Sequence, residues 1–261
     1  VLSLAAALCA AAFVVALGAG YLQTASALKL AENNAAVADA ALSQVFTRIA
    51  EQPPSQKNTQ LLSALLPYYR MIARGKNLPE SKVCEANAVI GECALRTGSY
   101  ALAEEAFRNM MKFRKDAFPV NQLATALKKQ GKDKEATELF RQVADRFAMS
   151  ERAEDRFETV RALLALSGSP ESVERSRAFG MLETLLEDDP DHPEYRFQYA
   201  QLLAGNPRLF RERRIPGIEP NAAVLLLQLA DAHPERPEYG LALVELMLKK
   251  LRYARNFREH N

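Results

Sequence analysis

The side chains of this chain best suited to chemistry are three histidines, a tight group of aspartates, three cysteines and two clusters of basic residues. A histidine can move protons near neutral pH. Here His192 and His233 each stand directly before a proline, in turns, and His260 lies at the end of the last helix, so all three read as structural residues. Asp188, Asp189 and Asp191 offer carboxylates to a cation, but the glycine and distal glutamate of a calcium loop are missing. Cys9 lies in an apolar run. Cys84 and Cys93 would share one helix with a rise of about 13 Å between them, beyond the roughly 4 to 7 Å that a disulfide spans. No histidine or acidic ligand stands at a metal-binding distance from them. Gly-rich phosphate loops, Gly-x-Ser-x-Gly, His-Glu-x-x-His and the kinase His-Arg-Asp and Asp-Phe-Gly signatures are all absent from the sequence. No catalytic, cofactor-binding or metal-ligating residue is assigned.

Arg208, Arg211, Arg213 and Arg214 form one basic cluster; Lys249, Lys250, Arg252, Arg255 and Arg258 form the other, with Phe210, Tyr253 and Phe257 interleaved. They suit an anionic ligand or a lipid headgroup surface, or simply a solvated face whose aromatic residues point inward. The net charge of +2 over 261 residues gives no basic field of the kind nucleic-acid binders carry.

What must position any site is a set of helices. Ala, Leu, Glu, Arg and Lys dominate, tryptophan is absent, and no run alternates for long in the manner of a strand. The first residue is valine, so a fragment or a processed product is expected. From Leu2 to Leu22 only Ser3 is strongly polar; a helix over that stretch would be about 31 Å long and match a bilayer's hydrocarbon core. Residues 1–22 therefore read as a transmembrane helix, with a signal segment cut near Ala25-Ser26-Ala27 as the rival. Over 23–52 a juxtamembrane helix keeps 3-4 spacing through Leu28, Ala31, Ala35, Ala38, Leu42, Val45 and Ile49, which suits a coiled coil or a helix packed on its neighbour. Residues 53–79 hold a connecting helix, about Ser55 to Arg74, kinked at Pro67.

From residue 80 to 261 the chain repeats itself. Asn87, Ile90, Gly91, Ala94, Gly98, Tyr100, Ala103, Phe107 and Met110 are echoed by Leu123, Ala124, Leu127, Gly131, Ala136, Phe140 and Val143. A third pair of helices is expected over Glu151–Ser167 and Pro170–Glu187, with Gly168 ending one helix, Ser169 capping the next and Pro170 opening it. Pro190 to Tyr195 and Pro234 to Tyr239 share the form Pro-x-x-Pro-Glu-Tyr, and the extra length between them is an insertion at 206–220. The last helix, about Glu238 to Phe257, has an apolar face of Leu241, Val244, Leu248 and Leu251 that reads as a cap.

The spacing from Asn87 to Met110 resembles a tetratricopeptide repeat (TPR). The resemblance implies an all-α, right-handed superhelical solenoid of helix hairpins, preceded by the transmembrane and juxtamembrane helices. TPR geometry would place a ligand groove on the first helix of each hairpin, at Glu85, Glu92 and Arg96 in one repeat and Asn121, Thr125, Lys128 and Lys129 in the next. These do not match the carboxylate clamp of chaperone-binding repeats.

The order of the whole chain is similar to the non-catalytic half of large bacterial membrane-bound serine/threonine kinases. The residues that carry this are the span to Leu22, the helix from Ala40 to Glu51, Leu65-Leu66-Pro67-Tyr68-Tyr69, the Gly98-to-Phe107 turn and the two Pro-x-x-Pro-Glu-Tyr turns. It implies a single-pass membrane protein with extracytoplasmic, periplasmic repeats that sense a protein or peptide, a homodimer, and a kinase domain before Val1. The competing expectation is an exported periplasmic TPR scaffold or assembly factor with no kinase. Neither involves a cofactor or nucleic acid.

Overall fold

The computed structural model describes residues 29–30, 37, 40–42, 44–47, 56–75, 78–169, 171–205, 215 and 217–259. The chain divides after Arg48 into two units. In the first, the described residues are helical; Phe46 is buried, whereas Val45, placed by its spacing on the apolar seam, is exposed. The span expected over 1–22 and most of the juxtamembrane helix lie outside the described residues. Among the described residues no helix is long and apolar enough to cross a membrane.

The second unit is an all-α, TPR-like solenoid. A connecting helix α1 (Gln56–Ala73) is followed by α2 (Glu80–Arg96) and α3 (Tyr100–Met110), α4 (Ala117–Lys129) and α5 (Asp133–Arg146), then α6 (Ala153–Leu166) and α7 (Val173–Asp188). Beyond them lie α8 (Pro193–Gly205), α9 (Ala222–Ala232) and α10 (Pro237–Glu259). Each helix packs on the next in sequence, and first helices of consecutive hairpins also touch, α2 on α4, α4 on α6 and α8 on α10. Neighbour-on-neighbour packing of this kind buries a continuous core that no single hairpin could close alone.

The turns explain the repeat. Gly98 and Gly131 adopt φ of 75° and 77°, a left-handed conformation that costs other residues steric strain. Around them the same two backbone bonds recur: Ser99 N–H to Ala94 O at 2.8 Å with Gly98 N–H to Leu95 O at 3.4 Å, and Lys132 N–H to Leu127 O at 3.0 Å with Gly131 N–H to Lys128 O at 3.1 Å. These satisfy carbonyls left over at the helix ends.

At the α2–α3 crossing, a Cβ on Gly91 would stand 2.6 to 2.8 Å from ring carbons of the fully buried Phe107. Only hydrogen fits there. One repeat later Ala124 and Phe140 occupy the corresponding places, both buried. The core forms two apolar clusters. One joins α2 through α6 around Phe107, Leu123, Leu127 and Phe140. The other joins α5 through α10 around Phe179, Leu182, Tyr199 and Leu226, and takes in Ile215 and Ile218 where the insertion rejoins the body. Cys84 and Cys93 are free, buried thiols. Burial and the neighbouring Glu92 charge push Cys93 up to about 12.

Two expectations need correction. Ser169 does not cap α7, which starts at Val173: Ser172 caps it by accepting from the Arg175 N–H at 3.2 Å, and Pro170 lies outside the described residues. The helix simply begins where a hydroxyl can reach an orphan donor. The connecting helix stands as expected, with Pro67 inside it and exposed. On α10 the supposed cap face is the uncovered one, with Leu241, Val244, Leu248 and Leu251 between 48% and 66% exposed, while Tyr239 and Leu246 pack inward. Both Pro-x-x-Pro-Glu-Tyr segments do start helices, at Pro193 and Pro237.

Polar braces lock the hairpins together. Glu104 on α3 accepts from Lys132 Nζ at 2.8 Å, Gln130 Nε2 at 2.9 Å and Arg108 Nε at 3.0 Å. The hydrogen bond from Lys132 is the main reason its carboxyl titrates at about 2 rather than 4.5. A depressed acid contributes its full stability above the unfolded value and loses it as pH falls through the folded one. Stability measured by urea unfolding should therefore drop between pH 4.5 and 2 more steeply in the wild type than in Glu104→Gln. Gly91→Leu should cost about 1 to 3 kcal/mol or more by overpacking the crossing, seen as a lowered thermal midpoint.

Candidate ligand face on the first helices

The first helices share a row of polar side chains that crosses from hairpin to hairpin. On α4, Asn121 donates through Nδ2 to Glu158 Oε2 of α6 at 2.5 Å. Glu158 in turn holds Arg161 at 2.9 Å, and Arg161 reaches Glu194 of α8 at 3.6 Å. Glu194 pairs with Arg236, just before α10, at 2.5 Å, and Arg236 donates to the Tyr239 hydroxyl at 2.6 Å. Below this row the Ala117 N–H, in the first turn of α4, donates to Asp155 Oδ1 of α6 at 2.9 Å. The Lys128 ammonium donates to the Ala165 carbonyl at 3.0 Å. Arg161 and Arg236 also lie over the rings of Phe157 and Tyr239, at 4.5 and 5.4 Å, contacts that orient a guanidinium while it is partly desolvated.

Burial dominates the electrostatics. Glu158 is 6% exposed, and burial raises its pKa against the pull of Arg161 and Asn121. Glu92 on α2 is raised too, first by burial, with Arg96 and Arg161 opposing and Glu158 reinforcing. The Asn121 Oδ1 atom is buried without a hydrogen-bond partner.

The residues expected to line a groove separate into two groups. Glu92, Asn121, Thr125 and Lys128 are enclosed or engaged; the Thr125 hydroxyl donates to the Asn121 carbonyl at 3.0 Å. Glu85, Arg96 and Lys129 are exposed, and Glu85 pairs with Lys82 at 3.3 Å. Asn121, expected to point outward, is only 4% exposed because Glu158 occupies its amide. Sequence reasoning missed Asp155, Glu158, Arg161 and Arg236. The traces of the row in the sequence were Asn121 and the glutamate after the helix-starting Pro193, Glu194.

The candidate chemical residues take structural places. His192 stacks on Tyr195 with centroids 3.7 Å apart, and His233 lies 3.3 Å from Glu235 and edge-on to Tyr239. Asp188 pairs with Arg156 at 3.0 Å and Asp191 with Arg196 at 3.4 Å. Among the described residues no three His, Cys, Asp or Glu side chains are grouped to hold a metal ion. Lys249, Lys250 and Arg252 are exposed on α10, and Arg208, Arg211, Arg213 and Arg214 lie outside the described residues. Two small clefts, of about 200 and 210 Å³, lie away from the polar row, one between α1, α2 and α3 and the other between α5, α6 and α7.

Consecutive helix hairpins with glycine turns and touching first helices define the TPR-like solenoid class. No family model and no curated protein matches the chain. Among solved structures it is similar to YrrB, described as a TPR protein with an unusual peptide-binding site, at 18% identity and a TM-score of 0.34 over 71% of this chain and 88% of that one.

Removing the Asn121 amide leaves a buried carboxylate short of a donor. Asn121→Ala should cost about 1 to 3 kcal/mol, measurable as a lower urea midpoint with an unchanged slope.

Proposed function

We propose that the face formed by the first helices binds a protein or peptide segment, so that the chain acts as an interaction module. The observation that carries this is the polar row from Asn121 through Glu158, Arg161 and Glu194 to Arg236. It fixes the spacing of four successive first helices or their flanks with groups already partly desolvated, and preorganised polar groups lower what an incoming chain must lose in ordering. Both signs of charge alternate along it, which suits a segment of mixed charge. Contacts would come from Glu85, Glu92, Arg96, Thr125, Lys128 and Lys129, with Asn121 acting from beneath.

A finer reading rests on sequence alone. The apolar run over 1–22 and the kinase-like order of the chain support a single-pass membrane anchor with the repeats outside the membrane, coupled as a homodimer to a serine/threonine kinase domain. Coding sequence upstream of Val1 tests it. A long open frame with kinase signatures supports the coupling, and a start codon within a few residues removes it.

For the ligand face, the 261-residue chain should enrich binders from a random displayed-peptide library. Arg96→Glu with Lys129→Glu should weaken those peptides by about tenfold, whereas Arg141→Glu on α5 should not. Failure to enrich any peptide, or equal loss in both variants, would place binding elsewhere.

A further inference from the structure

α10 carries two apolar faces. One is satisfied: Tyr239 and Leu246 are buried in the second cluster, with Ala242 and Leu243 packed against it. Past Leu246 that inner row continues as Lys249 and Lys250, both exposed. The other face is a stripe of Leu241, Val244, Met247, Leu248 and Leu251, each 48% to 66% exposed. Leu241, Val244, Leu248 and Leu251 follow the 3-4-3 spacing of a helix-pairing seam. Each earlier first helix is followed by a second helix that packs on it; among the described residues nothing covers this stripe. Isolated exposed apolar side chains are ordinary, but five on one face of one helix are not.

From this stripe we infer that α10 pairs with α10 of a second copy of the chain, antiparallel, about a two-fold axis near Leu246. The charges beside the stripe argue for this occupant. Glu238 and Glu245 flank its first half and Arg252 its second. In the antiparallel register Leu241 meets the partner's Leu251, Val244 meets the partner's Leu248, and Met247 meets its own counterpart. The same register sets Glu238, which already pairs with Arg236 at 3.3 Å, beside the partner's Arg252, twice. A parallel pair would instead set Glu245 and Arg252 beside the partner's Gly240 and the partner's Met247, with no opposite charge to meet. An anionic lipid surface would be opposed by Glu238 and Glu245. One like-charge contact remains, Glu245 against its counterpart at the axis, and it keeps the pair weak. The buried surface, roughly 1,000 Å² over both copies, lies at the lower end for a specific interface, so the dissociation constant should be on the order of micromolar. The pairing does not depend on what the first-helix face binds.

Sedimentation equilibrium of the full 261-residue chain in a density-matched neutral detergent, from about 1 to about 200 µM, brackets that constant. A monomer–dimer equilibrium is expected. Val244→Glu, at an exposed site that should leave the fold intact, should weaken it at least about tenfold. Arg252→Glu should weaken it several-fold, and Glu238→Arg combined with Arg252→Glu should restore it. A chain that stays monomeric throughout, or a dimer indifferent to Val244→Glu, overturns the pairing. Flotation of a monomeric chain with phosphatidylserine vesicles that Val244→Glu weakens would assign the stripe to a lipid surface instead, and would also overturn it.

Discussion

A pair of helices cannot hide its apolar side from water, and the whole of this solenoid follows from that shortfall. α2 and α3 close on each other only because Gly91 leaves room for the Phe107 ring. The apolar side they leave open is closed by α4, α4 and α5 are completed by α6, and so on along the stack. Each hairpin owes its stability to the next one. The logic stops at α10, the described helix with one apolar face filled and another bare. The core and the exposed stripe thus share one cause.

The polar row does a different job from the apolar clusters. Burying Glu158 and Glu92 is unfavourable, as the upward shift of both carboxyls records, and replacing such buried pairs by well-packed apolar residues is often neutral or stabilising. Apolar contacts, however, tolerate sliding, whereas a 2.5 Å bond from Asn121 to Glu158 does not. The clusters supply cohesion and the row supplies register between hairpins. Glu104, gripping the next turn through Lys132 and Gln130, is the counterpart on the second helices.

Much of this was readable from residue types, where the determinant is local. Gly98 and Gly131 mark turns because a left-handed backbone selects glycine at that spot whatever surrounds it. Pro193 and Pro237 mark helix starts because the first turn needs no proline N–H. Ser172 was hidden behind Gly168-Ser169-Pro170, an equally good start signal three residues early. The polar row was not legible because its members lie far apart in the sequence, 37 residues at Asn121 and Glu158. The α10 stripe was visible as a pattern, but a helix apolar on two sides does not itself say which side turns inward.

The two buried thiols make the first hairpin its own clock. Cys84 and Cys93 both sit on α2, sealed from solvent, with Cys93 held protonated far above neutral pH. A thiol reagent needs the thiolate and an open path to it, so these sulfurs react only while α2 is loosened from the helices packed on it. Their labelling rate therefore reports how often the first TPR-like hairpin frays, separately from unfolding of the stack behind it.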